Sequence, residues 1–355
     1  MNCKKATRSY ETWLAKQTSV VKADLAYKHQ QMSGDVFSFM RATFYRWLEL
    51  LNEHCPELGD APVVLAIGDL HVENFGTWRD RESRLVWGVN DFDEAFPLPY
   101  TNDLVRLAAS THLAIAENDL AIRPAEACEA ISNGYLKELS TGGTPFVLAE
   151  RHDWLRNTVM SELRDPEKYW KKLLDLPDSK SVPRKASKIL ERALPEQKLD
   201  YRVVHRVAGL GSLGRERFLA LAEWKGGVVA REAKARVPSA GSWAQLANAV
   251  RSPYETILRD AVRSDDPCLE LQKSWVVRRL APDCGRVELK SLSKGQDEHK
   301  LLEAMGRETA NIHLGSKNAV NKVKHDLAHR PAGWLHAAAL AMVKAIQLDW
   351  DEWRS

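Results

Sequence analysis

Asp69 and Asn74 stand five residues apart, directly after the apolar run 63–67, and Asp91 lies beyond a further apolar–charged–apolar stretch. A carboxylate, an amide five residues on and a second carboxylate past a hairpin are the acidic half of a site for phosphoryl transfer from a nucleotide. In that chemistry Asp69 accepts the proton of an attacking hydroxyl. Asn74 and Asp91 hold Mg²⁺ against the phosphates, and Asp93 supports a second metal or a water. Mg²⁺ takes hard oxygen ligands, which these side chains supply. An Asp-x4-Asn spacing alone is commonplace, because Asp and Asn also cap turns. The hairpin and the block Asn90-Asp91-Phe92-Asp93-Glu94 narrow the reading.

A second group of residues suits the other side of a nucleotide. Gly209, Gly211 and Gly214 form a Gly-x-Gly-x-x-Gly pattern containing Ser212, between two strand-like segments, and Lys234 follows the last glycine by 20 residues. Glycines let backbone N–H groups approach phosphates, and a Lys on the next strand reaches them as a point charge. A dinucleotide fingerprint needs a helix directly after the glycines and an acidic residue about 20 on. Here 215–221 reads as a strand and the residue 20 on is Lys234, while a tight β-turn remains the structural alternative. Glu255 is the expected ion-pair partner of Lys234; Glu232 could compete for the Lys and Arg231 could share its phosphate role.

The elements that must position these groups can be read coarsely. Residues 7–30 and 36–52 have helical spacing, 63–67 is a short buried strand, and 75–78 and 85–89 are the arms of a hairpin. A helix follows over 102–117, with Asn102 as its N-cap, and another over 124–140. The text from 151 to 200 is helical and charged. Strands are expected at 201–208, 217–223, 228–234, 275–280 and 286–292, a helix at 242–263, and helices from 297 to the end. Between 180 and 236 there are 14 Lys/Arg against 6 Asp/Glu, an excess that coincides with the glycine loop.

The segments Gly68-Asp69-Leu70-His71-Val72-Glu73-Asn74-Phe75-Gly76, Asn90-Asp91-Phe92-Asp93-Glu94 and Asp103-Leu104-Val105-Arg106-Leu107-Ala108-Ala109-Ser110 resemble the bacterial DUF2252 family of uncharacterised proteins. Phe37-Ser38-Phe39-Met40-Arg41 and the glycine loop extend the resemblance over roughly 25–315, with Ala42 where that family usually has Gly. The family is similar in turn to the protein-kinase-like superfamily, above all to aminoglycoside and choline phosphotransferases. The resemblance implies an α+β, two-lobed protein-kinase-like fold that binds ATP and Mg²⁺. In an ordinary kinase the glycine loop and Lys precede the catalytic Asp; here they follow it by about 140 residues, so the implied order is circularly permuted. On that reading 1–184 is a helical catalytic lobe, 185–292 a small β-rich nucleotide lobe, and 293–355 returns as helices to the catalytic lobe. Asp103 and Arg106 would lock the catalytic segment to the larger lobe.

The expected activity is an ATP/Mg²⁺-dependent phosphotransferase acting on a hydroxyl of a small molecule. Nucleotidyl transfer to protein by the same fold is one alternative. A nucleotide-binding regulator without turnover is another, disfavoured by the intact Asp69. Asp69-x-His71 with Asn90-Asp91-x-Asp93 also suits a dinuclear phosphoesterase, but His112, His152 and His205 lie in no matching His-rich context; His71 then orients or packs.

Composition frames these readings. The 355 residues suit two domains or one two-lobed domain, and 44% hydrophobic with 28% charged residues excludes wholesale disorder. A formal charge of +3 argues against a polybasic nucleic-acid binder. The five Cys (Cys3, Cys55, Cys128, Cys268, Cys284) are odd in number with no CxxC pair, which fits a reducing compartment. No apolar run reaches the ~20 residues of a membrane span and residues 1–13 are polar, so the expectation is a cytoplasmic protein with no membrane partner.

Overall fold

Helical spacing through the first fifty residues produces four helices where two long ones were expected: α1 (Cys3–Gln17), α2 (Lys22–Met32), α3 (Val36–Ala42) and α4 (Phe44–His54). The computed structural model describes residues 2–148, 152–161, 165–244, 253–285 and 296–355. Both breaks have a physical cause. Between α1 and α2, Val20 bridges to Arg215 and the Val21 N–H donates to the Gly214 carbonyl at 2.8 Å, so a contact 193 residues away overrides local helix propensity. Between α3 and α4, the Thr43 hydroxyl bonds back to the Phe39 carbonyl at 2.7 Å, an alternative to helix continuation that Thr offers readily.

The strands β1 (Val63–Ala66), β2 (Phe75–Arg79), β3 (Leu85–Val89) and β4 (Phe96–Pro99) come next. β2 and β3 form the expected hairpin, with Phe75 opposite Val89 and Trp78 opposite Val86. β1 pairs antiparallel with β4, which brackets the hairpin and brings the segments after Ala66 and before Phe96 side by side. α5 (Thr101–Ala116) and α6 (Pro124–Thr141) follow, then β5 (Phe146–Val147) as a third strand beside β3, and α7 (Asp153–Ser161), α8 (Pro166–Leu174) and α9 (Arg184–Ala193).

A separate five-stranded antiparallel sheet holds β6 (Arg202–His205), β7 (Arg217–Trp224), β8 (Gly227–Ala235), β9 (Glu270–Leu271) and β10 (Trp275–Leu280), in the order β6-β7-β8-β10-β9. Alternate residues of its strands face opposite ways, as the pleat requires. Phe218, Ala220, Ala233 and Val277 pack under Ala186 and Leu190 of α9. Leu219, Leu221, Ala230 and Leu280 pack with Tyr169 and Leu173 of α8 on the other face. Of the helix expected over 242–263, the described residues hold two short pieces, α10 (Ala240–Ala244) and α11 (Tyr254–Asp260). The strand expected at 286–292 lies outside the described residues.

The chain closes with α12 (Gln296–His313), α13 (Val320–His329) and α14 (Trp334–Arg354). These join α1 and α3–α6 in one large hydrophobic core, distinct from the two smaller clusters on the five-stranded sheet. The fold is therefore α+β, with mixed helices and open sheets. Among the described residues no helix is long and apolar enough to cross a membrane, and all five cysteines are free.

Candidate functional site

The segment after β1 is held by the first turns of α5. Asp103 accepts the backbone N–H groups of Ile67 at 2.6 Å and Gly68 at 2.9 Å. Its own carboxylate is held by His313 Nε2 at 2.9 Å, and His313 Nδ1 meets the Tyr135 hydroxyl at 2.7 Å. Asn102 is not the N-cap; Tyr100 occupies that position. Asn102 lies two residues further on, within the first turn, where its amide donates to the Gly68 carbonyl at 3.2 Å and its oxygen accepts from Trp47 Nε1 at 3.0 Å. Gly68 has φ +87°, and a Cβ there would stand 2.2 Å from the Glu94 carbonyl oxygen. Only glycine allows this close approach of the two loops.

Asp69 follows. Its Oδ1 accepts from Arg106 Nε at 2.9 Å and also from Arg106 Nη2. The Arg106 guanidinium is fully buried, lies over the rings of Phe44 and Trp47, and donates to the Met40 carbonyl at 3.0 Å. Burial pushes the Asp69 carboxyl up to about 6, against the opposing pull of Arg106. Its Oδ2 faces the glycine loop, 3.2 Å from where a Cβ on Gly211 would be.

The hairpin then delivers the oxygen donors. Asn74 Nδ2 donates to the Asp69 carbonyl at 2.7 Å, and the Asn74 carbonyl accepts from Asn90 N–H at 3.1 Å, so Asn74 and Asp91 meet where β2 begins and β3 ends. Lys234 crosses from β8 to both carboxylates, with Nζ 3.2 Å from Asp91 Oδ2 and 2.7 Å from Asp93 Oδ2. Arg215 adds a bond to Asp93 Oδ2 at 3.2 Å and one to Glu94 Oε1 at 2.8 Å. Burial would raise the Asp91 carboxyl, but Lys234 and Arg278 draw it down to about 2. Among the described residues, Asp93 Oδ1 is buried with no hydrogen-bond partner.

The glycine loop is folded down onto this cluster. Gly209 (φ +73°) leads into a 3-10 turn over Leu210–Ser212, and Gly214 (φ +95°) ends it. Lys28 of α2 donates to the Gly211 carbonyl at 3.3 Å. The Ser212 hydroxyl accepts from Arg217 Nη2 at 2.7 Å. Behind the loop the wholly buried Glu232 pairs with Arg206, with Arg217 at 3.1 Å and with Arg278 at 2.9 Å. Although burial opposes ionisation, these arginines hold the Glu232 carboxyl well below its usual range.

Asp69, Asn74, Asp91, Asp93, Gly209, Gly211 and Ser212 thus line one cavity of about 70 Å³. A neighbouring cavity of about 260 Å³ has Arg206, Arg217, Arg278 and Arg279 in its walls with Trp78 and Tyr169, and shares Arg41, Asn74, Asp91 and Gly209 with the first. Lys234 reaches the group through the two carboxylates. Gly214 does not line either cavity; it packs on Leu25. Glu255 is the one misplaced partner. It forks onto Arg236 at 2.6 and 2.7 Å and is 58% exposed, while Lys234 takes Asp91 and Asp93 instead. Arg231 is tied to the Ala193 carbonyl at 2.8 Å, and Glu232 serves arginines. The sequence did not single out Lys28, Arg215, Arg217 or His313. The basic excess of 180–236 marked the region of the two arginines but not which ones turn inward.

Residues 20–176 match a family model described as an uncharacterized protein conserved in bacteria (DUF2252). The DUF2252 match contains Asp69, Asn74, Asp91 and Asp93 and ends before the glycine loop and Lys234, so the cluster is assembled from matched and unmatched parts of the chain. No curated protein and no solved structure matches the chain.

Proposed function

We propose that the protein is an ATP- and Mg²⁺-dependent phosphotransferase acting on a hydroxyl of a small molecule, with a kinase-like fold of permuted order. The observation that carries this reading is Lys234, which sits 143 residues beyond Asp91 in sequence yet bonds Asp91 and Asp93 beside Asn74 and Asp69. A lysine from one sheet, two carboxylates and an amide around a hairpin, and a further carboxylate under a glycine loop are the parts such a transfer uses. The residues also fit Mg²⁺: Asn74, Asp91 and Asp93 offer hard oxygens, and the orphaned Asp93 Oδ1 is an acceptor in want of a cation. When bound, Mg²⁺ would neutralise charge on phosphate oxygens. Asp69 Oδ2 takes the acceptor's proton while Arg106 holds Oδ1 still, and a carboxyl near 6 is ionised at neutral pH yet basic enough to help. Lys234 and the arginines of the larger cavity bind and orient the polyphosphate.

The decisive experiment supplies ATP labelled separately at the α and γ positions, with Mg²⁺ and a metabolite extract. The expected result is γ-label on a small molecule, lost with EDTA. Label from the α position on protein would replace phosphoryl by nucleotidyl transfer, and no transfer from either position would leave a nucleotide-binding regulator.

A further inference from the structure

On the far side of α5 from the hairpin three groups with metal-binding atoms converge. His112 Nε2 of α5 lies 3.3 Å from Cys128 Sγ of α6 and 3.3 Å from His336 Nδ1 of α14. All three ligand atoms fall within 4.8 Å of one another, and among the described residues no other three His, Cys, Asp or Glu side chains converge in this way. We propose that His112, Cys128 and His336 form a binding site for zinc(II).

The spacing fits that ion. Zinc holds imidazole nitrogen at about 2.0–2.1 Å and thiolate sulfur at about 2.3 Å, so a tetrahedral site sets its ligand atoms about 3.3–3.6 Å apart. Two of the three edges already have this length. The third closes by a turn of the His336 ring, which is half-buried at the start of α14 and gives the ion a way in. His112 is oriented for the task. Its Nε2 is the atom that faces both Cys128 and His336. Hydrogen bonding alone satisfies the trio poorly. His112 Nε2 carries either one lone pair or one proton, and with two neighbours at 3.3 Å it can bond only one of them in good geometry. A cation takes a lone pair from each of the three. As the Zn–S bond forms, the Cys128 thiol proton leaves to solvent, and the fourth position is left to water. A bound ion would pin three helices, one of which carries Asp103 and Arg106 under the Asp69 loop.

The test uses the full chain, stripped with a chelator and titrated with cobalt(II), then zinc(II). Cobalt should bind one equivalent with a thiolate-to-cobalt charge-transfer band and the visible bands of a tetrahedral site. Zinc should displace it and raise the melting temperature. Cys128→Ser should abolish the charge-transfer band, and His336→Ala should weaken zinc at least about tenfold, since loss of even an outer-shell partner costs 10–100-fold. Absence of the band in the wild type would overturn the site. Equal zinc affinity and melting shift in both variants would also overturn it, by placing the metal on carboxylates elsewhere.

Discussion

Asp69→Asn tests whether Asp69 is a base held in a dry pocket or an ionised anchor for Arg106. Burial lifts the Asp69 carboxyl from an ordinary 3.8 to about 6, with the attraction of Arg106 already working against the rise. The folded state therefore keeps a proton that the unfolded chain releases. Stability from this group is complete below about pH 4 and is lost as pH rises through about 6. Roughly two units at 1.36 kcal/mol each make about 3 kcal/mol, an upper figure because the side chain retains 17% exposure. The opposing effect is the wholly buried Arg106 guanidinium, which loses a charged partner; breaking such a pair can cost about 3–5 kcal/mol. The raised carboxyl says that burial wins, because an amide imitates the neutral acid that the pocket prefers. Urea unfolding of both proteins from pH 4.5 to 8 should show the variant gaining about 2–3 kcal/mol on the wild type across that range. On the proposed reading, phosphotransfer by the variant should be slower by about 10²–10⁴, the usual worth of general-base help. A variant that is less stable by about 3 kcal/mol at every pH would refute the reasoning. It would mean that Asp69 is ionised throughout and serves Arg106.

Lys234→Met removes a buried ammonium from between Asp93, which is largely buried, and Asp91, which is 35% exposed and screened by solvent, so it should cost about 1–3 kcal/mol, below the figure for a fully buried pair. Millimolar Mg²⁺ should restore part of this loss in thermal melts; no recovery would argue against metal binding by Asn74, Asp91 and Asp93. Gly68→Ala places a Cβ 2.2 Å from the Glu94 carbonyl at φ +87°, so it should destabilise by at least about 1–3 kcal/mol in denaturant titrations. A change within about 0.5 kcal/mol, the range of ordinary surface substitutions, would mean that the two loops are not docked.

The parts of this site that were legible in sequence are those set by local chemistry. A five-residue spacing, an apolar strand before it and a charged turn between two apolar arms placed Asp69, Asn74 and Asp91 on a strand end and a hairpin, and β2 and β3 pair accordingly. The glycines and Lys234 were legible for the same reason, since β6, β7 and β8 are consecutive antiparallel strands, with the glycines in the connection 206–216 and a tight turn at 225–226. Partners were not. Glu255 lies on a helix after the strand, where a partner of Lys234 is expected, but Arg236, two residues beyond Lys234, takes it. Nothing periodic in the chain says which of Asp91, Asp93, Glu232 and Glu255 a given cation will meet. That is decided by how the five-stranded sheet approaches the hairpin. The breaks at Thr18–Val21 and Thr43 have the same origin, because a bridge to Arg215 ends one helix and a side chain's own bond ends the other. Asn102 illustrates a subtler limit. Its residue type suits an N-cap, yet two residues past the cap its amide can hold Gly68 and Trp47 at once.

The charges of the site fall into two layers, and their arrangement bears on how a polyanion would be received. Glu232 is shared by Arg206, Arg217 and Arg278, so three guanidinium groups are held by one carboxylate and keep a positive surplus in the wall of the larger cavity. Asp91, Asp93 and Glu94 carry the opposite surplus toward the smaller cavity, offset only in part by Lys234 and Arg215. Asn74 and Asp91 line both cavities and therefore stand on the boundary. On the proposed reading a nucleotide's phosphates bridge that boundary. Their charge answers the arginines, and a divalent cation answers the carboxylates, which frees Lys234 to turn from Asp91 and Asp93 to the phosphates. The same two layers explain why neither ligand would bind well alone. A bare polyphosphate would meet Asp91 and Asp93 as like charges, and a bare cation would have to compete with Lys234 for both oxygens. Coupled entry of the pair avoids both costs, since each charge that is introduced meets its opposite in a buried setting where unpaired charge is expensive.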